Sequence, residues 1–394
     1  MKEEFHLSVV VTTRNDNHGK NLTYRMQQFV NGFVEQCKRY NLKAELIFVE
    51  WNPPEDRPPL SEALDFPSEK GPCAIRIIRV PKEVHMQFEH SDRIPLFQMI
   101  GKNVGIRRAQ GKFILATNID ILFSNELFQF LRQDLKPGTL YRVDRLDVPE
   151  KLPEFDSFDE ILKFCSKSFF RIHGKFGSTT RRKKSLMRFC EAQLRKIGLM
   201  IPAFFHKSLM ELFQNFFTII STFCKGIFRI IKLILHTPLY KFVMCPCRVI
   251  KKIAGRCLSI LCPKRFHPLH TNACGDFTLL STEDWERLKG YPEWHCFSWH
   301  LDSVLLFQAK NHGIKEVDLP RKWPIYHIDH EIGSGFTPEG QNQLFERLNT
   351  KGIPYLSNAD LVKVIKELKT RDRGVVYNQV NWGLSHLTLE EFWV

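Results

Sequence analysis

The sequence predicts an α/β protein built on a mostly parallel, doubly wound sheet, interrupted by a basic amphipathic helical segment. Three observations carry this expectation. Short apolar, β-branched runs alternate with helical periodicity from Leu7 to Thr117, the pattern of strands joined by crossover helices. The pattern breaks near Asp156 and resumes near His270. Between Lys163 and Arg265 the chain carries 22 Lys+Arg against only Glu191 and Glu211, a local charge of +20, while the remainder holds 35 basic and 41 acidic residues.

Each element follows from its residues. Leu7–Thr13 is an apolar run that reads as a buried strand, stopped by the polar turn Arg14-Asn15-Asp16-Asn17. Asn21–Tyr40 places Leu22, Met26, Phe29, Val30, Phe33, Val34 and Cys37 on one helical face. Glu45–Glu50 and Ala74–Val80 are further strands, ended by Trp51-Asn52-Pro53-Pro54 and by Pro81. A helix is expected over Pro95–Ala109 and a fourth strand over Lys112–Thr117. After the break, Phe277–Leu280 reads as a strand, and Ser281 with Asp284 fits a helix N-cap. Leu301–Asn311 is helical, Lys315–Leu319 and Pro324–Ile328 are short strands, and 336–394 reads as peripheral helices and loops. In such sheets ligands sit at the carboxyl ends of the strands, where Thr12–Asp16, Glu50–Asn52 and Asn118–Asp120 gather.

At 394 residues, with 43% hydrophobic and 12% aromatic content, the chain can bury one large or two moderate cores. The 11 cysteines are odd in number and irregular in spacing, and seven lie in the basic segment. Cys245 and Cys247 have no second pair at zinc-ribbon spacing, so the reading is reduced thiols in a cytoplasmic setting. Met1–Phe5 is charged and short of apolar residues, which reads as no cleavable secretion signal.

The runs VVVTTRND (Val9–Asp16), FVEWNPP (Phe48–Pro54) and KNVGIRRAQGKFILATNIDILFS (Lys102–Ser124) resemble GT-A glycosyltransferases. So do ACGDFTLLSTEDWERLKGYPE (Ala273–Glu293), HLDS (His300–Ser303) and YHIDH (Tyr326–His330), which are similar to the catalytic half of β-1,4-galactosyltransferase-like and chondroitin-polymerase-like enzymes. The resemblance covers residues 7–148 and 270–335, and implies a GT-A (Rossmann-like) fold. Residues 1–154 would be the nucleotide-sugar half, 155–268 the insertion, 269–335 the acceptor and catalytic half, and 336–394 peripheral.

Glycosyl transfer must grip a nucleotide, neutralise a departing diphosphate and take a proton from the acceptor hydroxyl. By resemblance Thr12, Thr13, Arg14, Asn15, Asp16 and Glu50 would hold uridine and ribose. Asn103 would bind the nucleotide, and one of Arg107 and Arg108, which follow it, would face the diphosphate. Asn118-Ile119-Asp120 occupies the place of a DxD motif, with Asn in place of the first Asp. Asn118 would touch the nucleotide. Asp120 with His327 and His330 would hold Mn2+ or Mg2+. Asp302 is the expected catalytic base of an inverting reaction. Gly275 and Asp276 would line the acceptor pocket and Trp294 would stack on a sugar ring. As ordinary structure, the same residues are strand-end polar groups, a helix cap and a core tryptophan.

Over Phe204–Leu239, Glu211, Gln214, Thr218, Ser221, Lys225, Arg229, Lys232 and His236 share a sector about 80° wide on a helical wheel. Phenylalanines and isoleucines fill the rest. No uncharged run there reaches the roughly 18 residues that span a bilayer, so the segment reads as a helix lying in a membrane interface. Arg181-Arg182-Lys183-Lys184 and Lys251-Lys252 would add attraction to anionic lipid. A buried helix is the structural alternative. Nucleic acid is disfavoured, because the aromatics lie on the apolar face and not among the charges.

The expected function is therefore a metal-dependent, inverting glycosyltransferase using a UDP-sugar on a glycan or lipid-linked acceptor. It would be peripheral on the cytoplasmic face of a membrane. Asn118 leaves a second class open: a catalytically silent GT-A-like domain that binds a membrane or a partner.

Overall fold

A computed structural model of the chain describes residues 5–133, 135–181, 269–330, 340–371 and 373–394. Strand β1 (Phe5–Thr13) is buried at every position but His6, as a strand covered on both faces must be. Its side chains alternate between two cores. Leu7, Val9 and Val11 pack with Met26, Phe29 and Phe33 of helix Leu22–Tyr40, and Val10 packs with Ile100 and Val104 of helix Gln98–Arg108. β2 (Ala44–Trp51), β3 (Cys73–Val80) and β4 (Gly111–Thr117) join β1 in parallel, in the spatial order β3-β2-β1-β4. These are the first four strands read from the sequence.

The remaining strands are short. They are β5 (Ile121–Phe123), β6 (Thr139–Arg142), β7 (Arg145–Val148), β8 (Arg171–Gly174), β9 (Gly177–Thr180), β10 (Phe277–Ser281), β11 (Lys315–Asp318), β12 (Ile325–Ile328) and β13 (Glu390–Trp393). The main sheet runs β11-β6-β10-β4-β1-β2-β3-β13, with β10 antiparallel to β4 and β6. A second sheet runs β5-β12-β7-β8-β9. The chain passes from one sheet to the other at Asn118–Asp120, between β4 and β5. That crossing puts the carboxyl ends of β1 and β4 beside β12 and β7.

Helix Gln98–Arg108 lies tightly over the end of β1. A Cβ on Gly101 would stand 2.4 Å from Thr12 Cγ2, closer than packed atoms approach. Ser281 caps its helix as expected, its hydroxyl accepting from Asp284 N at 3.2 Å.

Two stretches depart from the sequence reading. Residues 155–180, assigned to the insertion, include helix Phe158–Ser168 and the β8–β9 hairpin, and β8 pairs with β7 in the second sheet. The tail, expected to be peripheral, ends in β13, which adds antiparallel to β3 through Glu390–Arg79 and Phe392–Ile77. The chain divides into two units, Met1–Thr180 with Leu269–Val394, and Arg181–Pro268. The second lies outside the described residues apart from Arg181, and with it the amphipathic pattern over 204–239. Among the described residues no helix is long and apolar enough to cross a membrane.

Candidate functional site

Polar side chains converge where the two sheets meet. Asp120 follows β4 and is 5% exposed. β12 brings His327 so that its Nε2 stands 3.6 Å from Asp120 Oδ2, and His330 Nε2 stands 3.8 Å from the same oxygen. One ligand atom from each of the three lies within 4.8 Å of the others. Asp120 Oδ1 is buried and has no hydrogen-bond partner. A buried carboxylate oxygen left without a donor is costly unless something binds it. One carboxylate and two imidazoles form a donor set that suits a first-row divalent cation. Asp147, His327 and Asp329 form a second such group through the shared His327.

A second cluster lies alongside. Lys102, wholly buried, donates from Nζ to Asn118 Oδ1 at 2.9 Å and to the Gly275 carbonyl at 2.7 Å. Gln98, one turn earlier, donates to the same Asn118 oxygen at 3.0 Å. Asn118 Nδ2 donates to Asp276 Oδ1 at 2.5 Å, and Arg145 Nη1 donates to Asp276 Oδ2 at 2.6 Å. Arg145 also pairs with Asp147 at 2.9 Å, and Asp147 lies 3.3 Å from His327 Nδ1. The two clusters are thus one chain of charges. Asp302 opens helix Leu301–Asn311 and comes up against Gly275, where a Cβ would stand 3.1 Å from its Oδ2. Glycine at 275 is what lets that carboxylate approach.

The surroundings divide the ionisable groups. Burial alone would raise the Asp120 carboxyl, but His327, His330 and Arg25 carry it well below the usual range. Burial and Arg145 pull His327 down, yet Asp120 and Asp147 hold it up at about 9. His330 goes the other way, to about 3, through burial and the charge on His327. Burial lowers Lys102 to about 8 against the pull of Asp276 and Asp302.

The residues expected from sequence separate into those at this junction and those elsewhere. Asp120, His327, His330, Asn118, Gly275, Asp276 and Asp302 come together. Thr12 is buried under helix Gln98–Arg108 with its hydroxyl unpartnered, and Asn15 Oδ1 is likewise buried without a partner. Thr13 turns to the other face, against Met26. Arg14 and Asp16 pair with each other at 3.6 Å. Glu50 is built into the fold: Oε1 accepts from Leu60 N at 2.7 Å and Oε2 from Arg79 at 3.0 Å. Asn103 is also a structural clamp, exchanging hydrogen bonds with the backbone of Tyr291 at 2.8 Å.

Arg107 does not reach the junction. It pairs with Glu286 and lies over the Trp382 ring at 4.9 Å. Its helix starts beside Asn118 and runs back to the start of β4, so its last turn is roughly 13 Å along the axis from Gln98. Trp294 packs edge-on against Tyr377 at the margin of the core. A cavity of about 600 Å³ lies elsewhere, between helix Leu22–Tyr40 and the Leu152–Phe158 loop, and holds none of the converging residues.

Sequence reasoning missed Arg25, Lys102, Arg145 and Asp147. Arg25 donates to Asp120 Oδ2 at 2.7 Å and is 1% exposed. Its signal was present: Leu22, Arg25, Met26 and Phe29 fall on one helical stripe, so an arginine interrupts an apolar face. Gln98 and Lys102, one turn apart, likewise marked a polar face aimed at the strand ends. Arg145 and Asp147 share a face of a short strand whose partners lie far along the chain, and nothing local marked them.

No family model matches the chain, and no curated protein matches it. Among solved structures, the crystal structure of GalNAc-T7 with UDP, GalNAc and Mn2+ is similar to this chain, with a TM-score of 0.37 and 10% identity. The match takes in 98% of this chain and spans 57% of that one.

Proposed function

We propose that the protein is a GT-A-type glycosyltransferase that binds a UDP-sugar with a divalent cation at the junction of its two sheets. The observation that carries this is the unpartnered, buried Asp120 Oδ1 beside two imidazoles, at the carboxyl end of a parallel β3-β2-β1-β4 core. When bound, the cation supplies positive charge for the departing diphosphate. The chain's own residues do the rest. Asp120, His327 and His330 would hold the cation, and the unpartnered groups of Thr12 and Asn15 offer hydrogen bonds to the nucleoside. Asp302, beside Gly275 at the junction, would take the acceptor's proton with inversion at the anomeric carbon. The acceptor would be a glycan or lipid-linked chain, and the basic residues of 181–265 would hold the enzyme on an anionic membrane surface.

The test is UDP binding with and without Mn2+ in the wild type and in Asp120→Ala. Loss of Mn2+-dependent binding in a variant with unchanged circular dichroism is expected. Unchanged affinity removes Asp120 from the site.

A second reading, a catalytically silent domain that binds UDP or a partner, is favoured by the Arg25–Asp120 pair at 2.7 Å and by Asn118. Hydrolysis of a UDP-sugar panel decides between them, since a silent domain releases no UDP.

A further inference from the structure

Resting on the cation reading above, we infer that Arg25 couples the uptake of a divalent cation to that of a nucleoside diphosphate, so that each tightens the other. Arg25 Nη1 donates to Asp120 Oδ2 at 2.7 Å, while Nη2 donates to the carbonyls of His18 at 2.5 Å and Lys20 at 3.1 Å. The guanidinium is therefore fixed on the carboxylate by the turn that precedes its own helix. That turn is a committed structure, with Asn17, Gly19, Lys20 and Asn21 all at positive φ. A guanidinium keeps its charge at any accessible pH.

Asp120 is the single carboxylate in the group with His327 and His330, and the chain has already matched its charge. The next carboxylate, Asp147, is matched by Arg145 at 2.9 Å and Arg171 at 2.5 Å. A bare divalent cation entering here shares one carboxylate with a buried positive charge, in surroundings where like charges repel strongly. A diphosphate reverses the balance. Its oxygens can coordinate the cation and accept hydrogen bonds from the guanidinium at once. Each ligand then favours the other, and linkage makes the effect reciprocal. Arg25 acts through Asp120 and the ligands' charge, so it is a positioning residue.

The experiment is a Mn2+ titration of the full chain, read by electron paramagnetic resonance of free Mn2+, with and without UDP. UDP affinity is measured calorimetrically with and without Mn2+. UDP should tighten Mn2+ about 5- to 150-fold, the usual span of such coupling, and Mn2+ should tighten UDP by the same factor. In Arg25→Met, Mn2+ alone should bind more tightly than in the wild type and the factor should fall. Arg25→Lys keeps the charge and should keep the coupling. Wild-type coupling retained in Arg25→Met overturns the inference and leaves the cation reading standing. Equal Mn2+ affinity with and without UDP in the wild type overturns the inference and, by the same linkage, the Mn2+-dependent UDP binding proposed above, however the variants fold. Mn2+ binding in neither condition removes the cation reading itself, and the inference with it.

Discussion

Replacing Lys102 with methionine should change how stability depends on pH. Lys102 is wholly buried, and burial lowers its ammonium from 10.5 in the unfolded chain to about 8. Below pH 8 the group is charged in both states, so the folded chain bears the full cost of holding a buried charge. From pH 8 to 10.5 the unfolded chain binds more protons than the folded one, and stability rises with pH. Above 10.5 both states are neutral and the cost is gone. The difference of pKa corresponds to about 3 kcal/mol. Lys102→Met removes this slope and adds a pH-independent loss of about 1–3 kcal/mol, because the Gly275 carbonyl loses its donor while Asn118 Oδ1 keeps Gln98. Urea unfolding of both proteins across this window measures the effect, since other titrating groups cancel in the difference. The wild type should gain about 3 kcal/mol on the variant between pH 8 and 10.5. Parallel curves would refute the argument and mean that the ammonium is as well solvated as in water.

Three further outcomes are expected. Asp302→Asn keeps the shape of the side chain and loses the base, so turnover should fall about 10²- to 10⁴-fold with UDP affinity unchanged; a product of retained anomeric configuration would contradict both the base and the inverting mechanism. Gly101→Ala must displace Thr12 or lift helix Gln98–Arg108, at about 1–3 kcal/mol, read as a lowered Tm; an unchanged Tm would mean that the helix is free to move off β1. Replacing Lys225, Arg229 and Lys232 with Gln should weaken binding to anionic vesicles and reduce its salt dependence, and unaltered binding would remove that stripe from the membrane reading.

The parts of this protein legible in the sequence are those governed by local pattern. β1 to β4 appear as near-continuous apolar runs because both faces of a parallel sheet are covered. Helix Leu22–Tyr40 shows an apolar stripe because one of its faces packs on the sheet and the other meets solvent. Asp120 was legible as a carboxylate placed just after a buried strand, and His327 as the end of another. β13 was not: its Glu390 and Glu391 belong on a strand only because Arg79 and Arg76 of β3 face them.

What only the tertiary structure decided is which polar residues share a site. Asp120 and Arg25 are separated by 95 positions, and Lys102 and Gly275 by 173. Arg107 reads as a candidate as easily as Lys102, but the helix runs away from the strand ends, so the earlier residue is at the junction and the later one is not. Glu50 and Asn103 have the right chemistry for a ligand and spend it on Leu60, Arg79 and Tyr291. The physical reason is that a hydrophobic pattern fixes which face of an element is buried, over a few residues. A charge or a hydrogen bond is satisfied by whichever partner the packing of distant elements brings within about 3 Å.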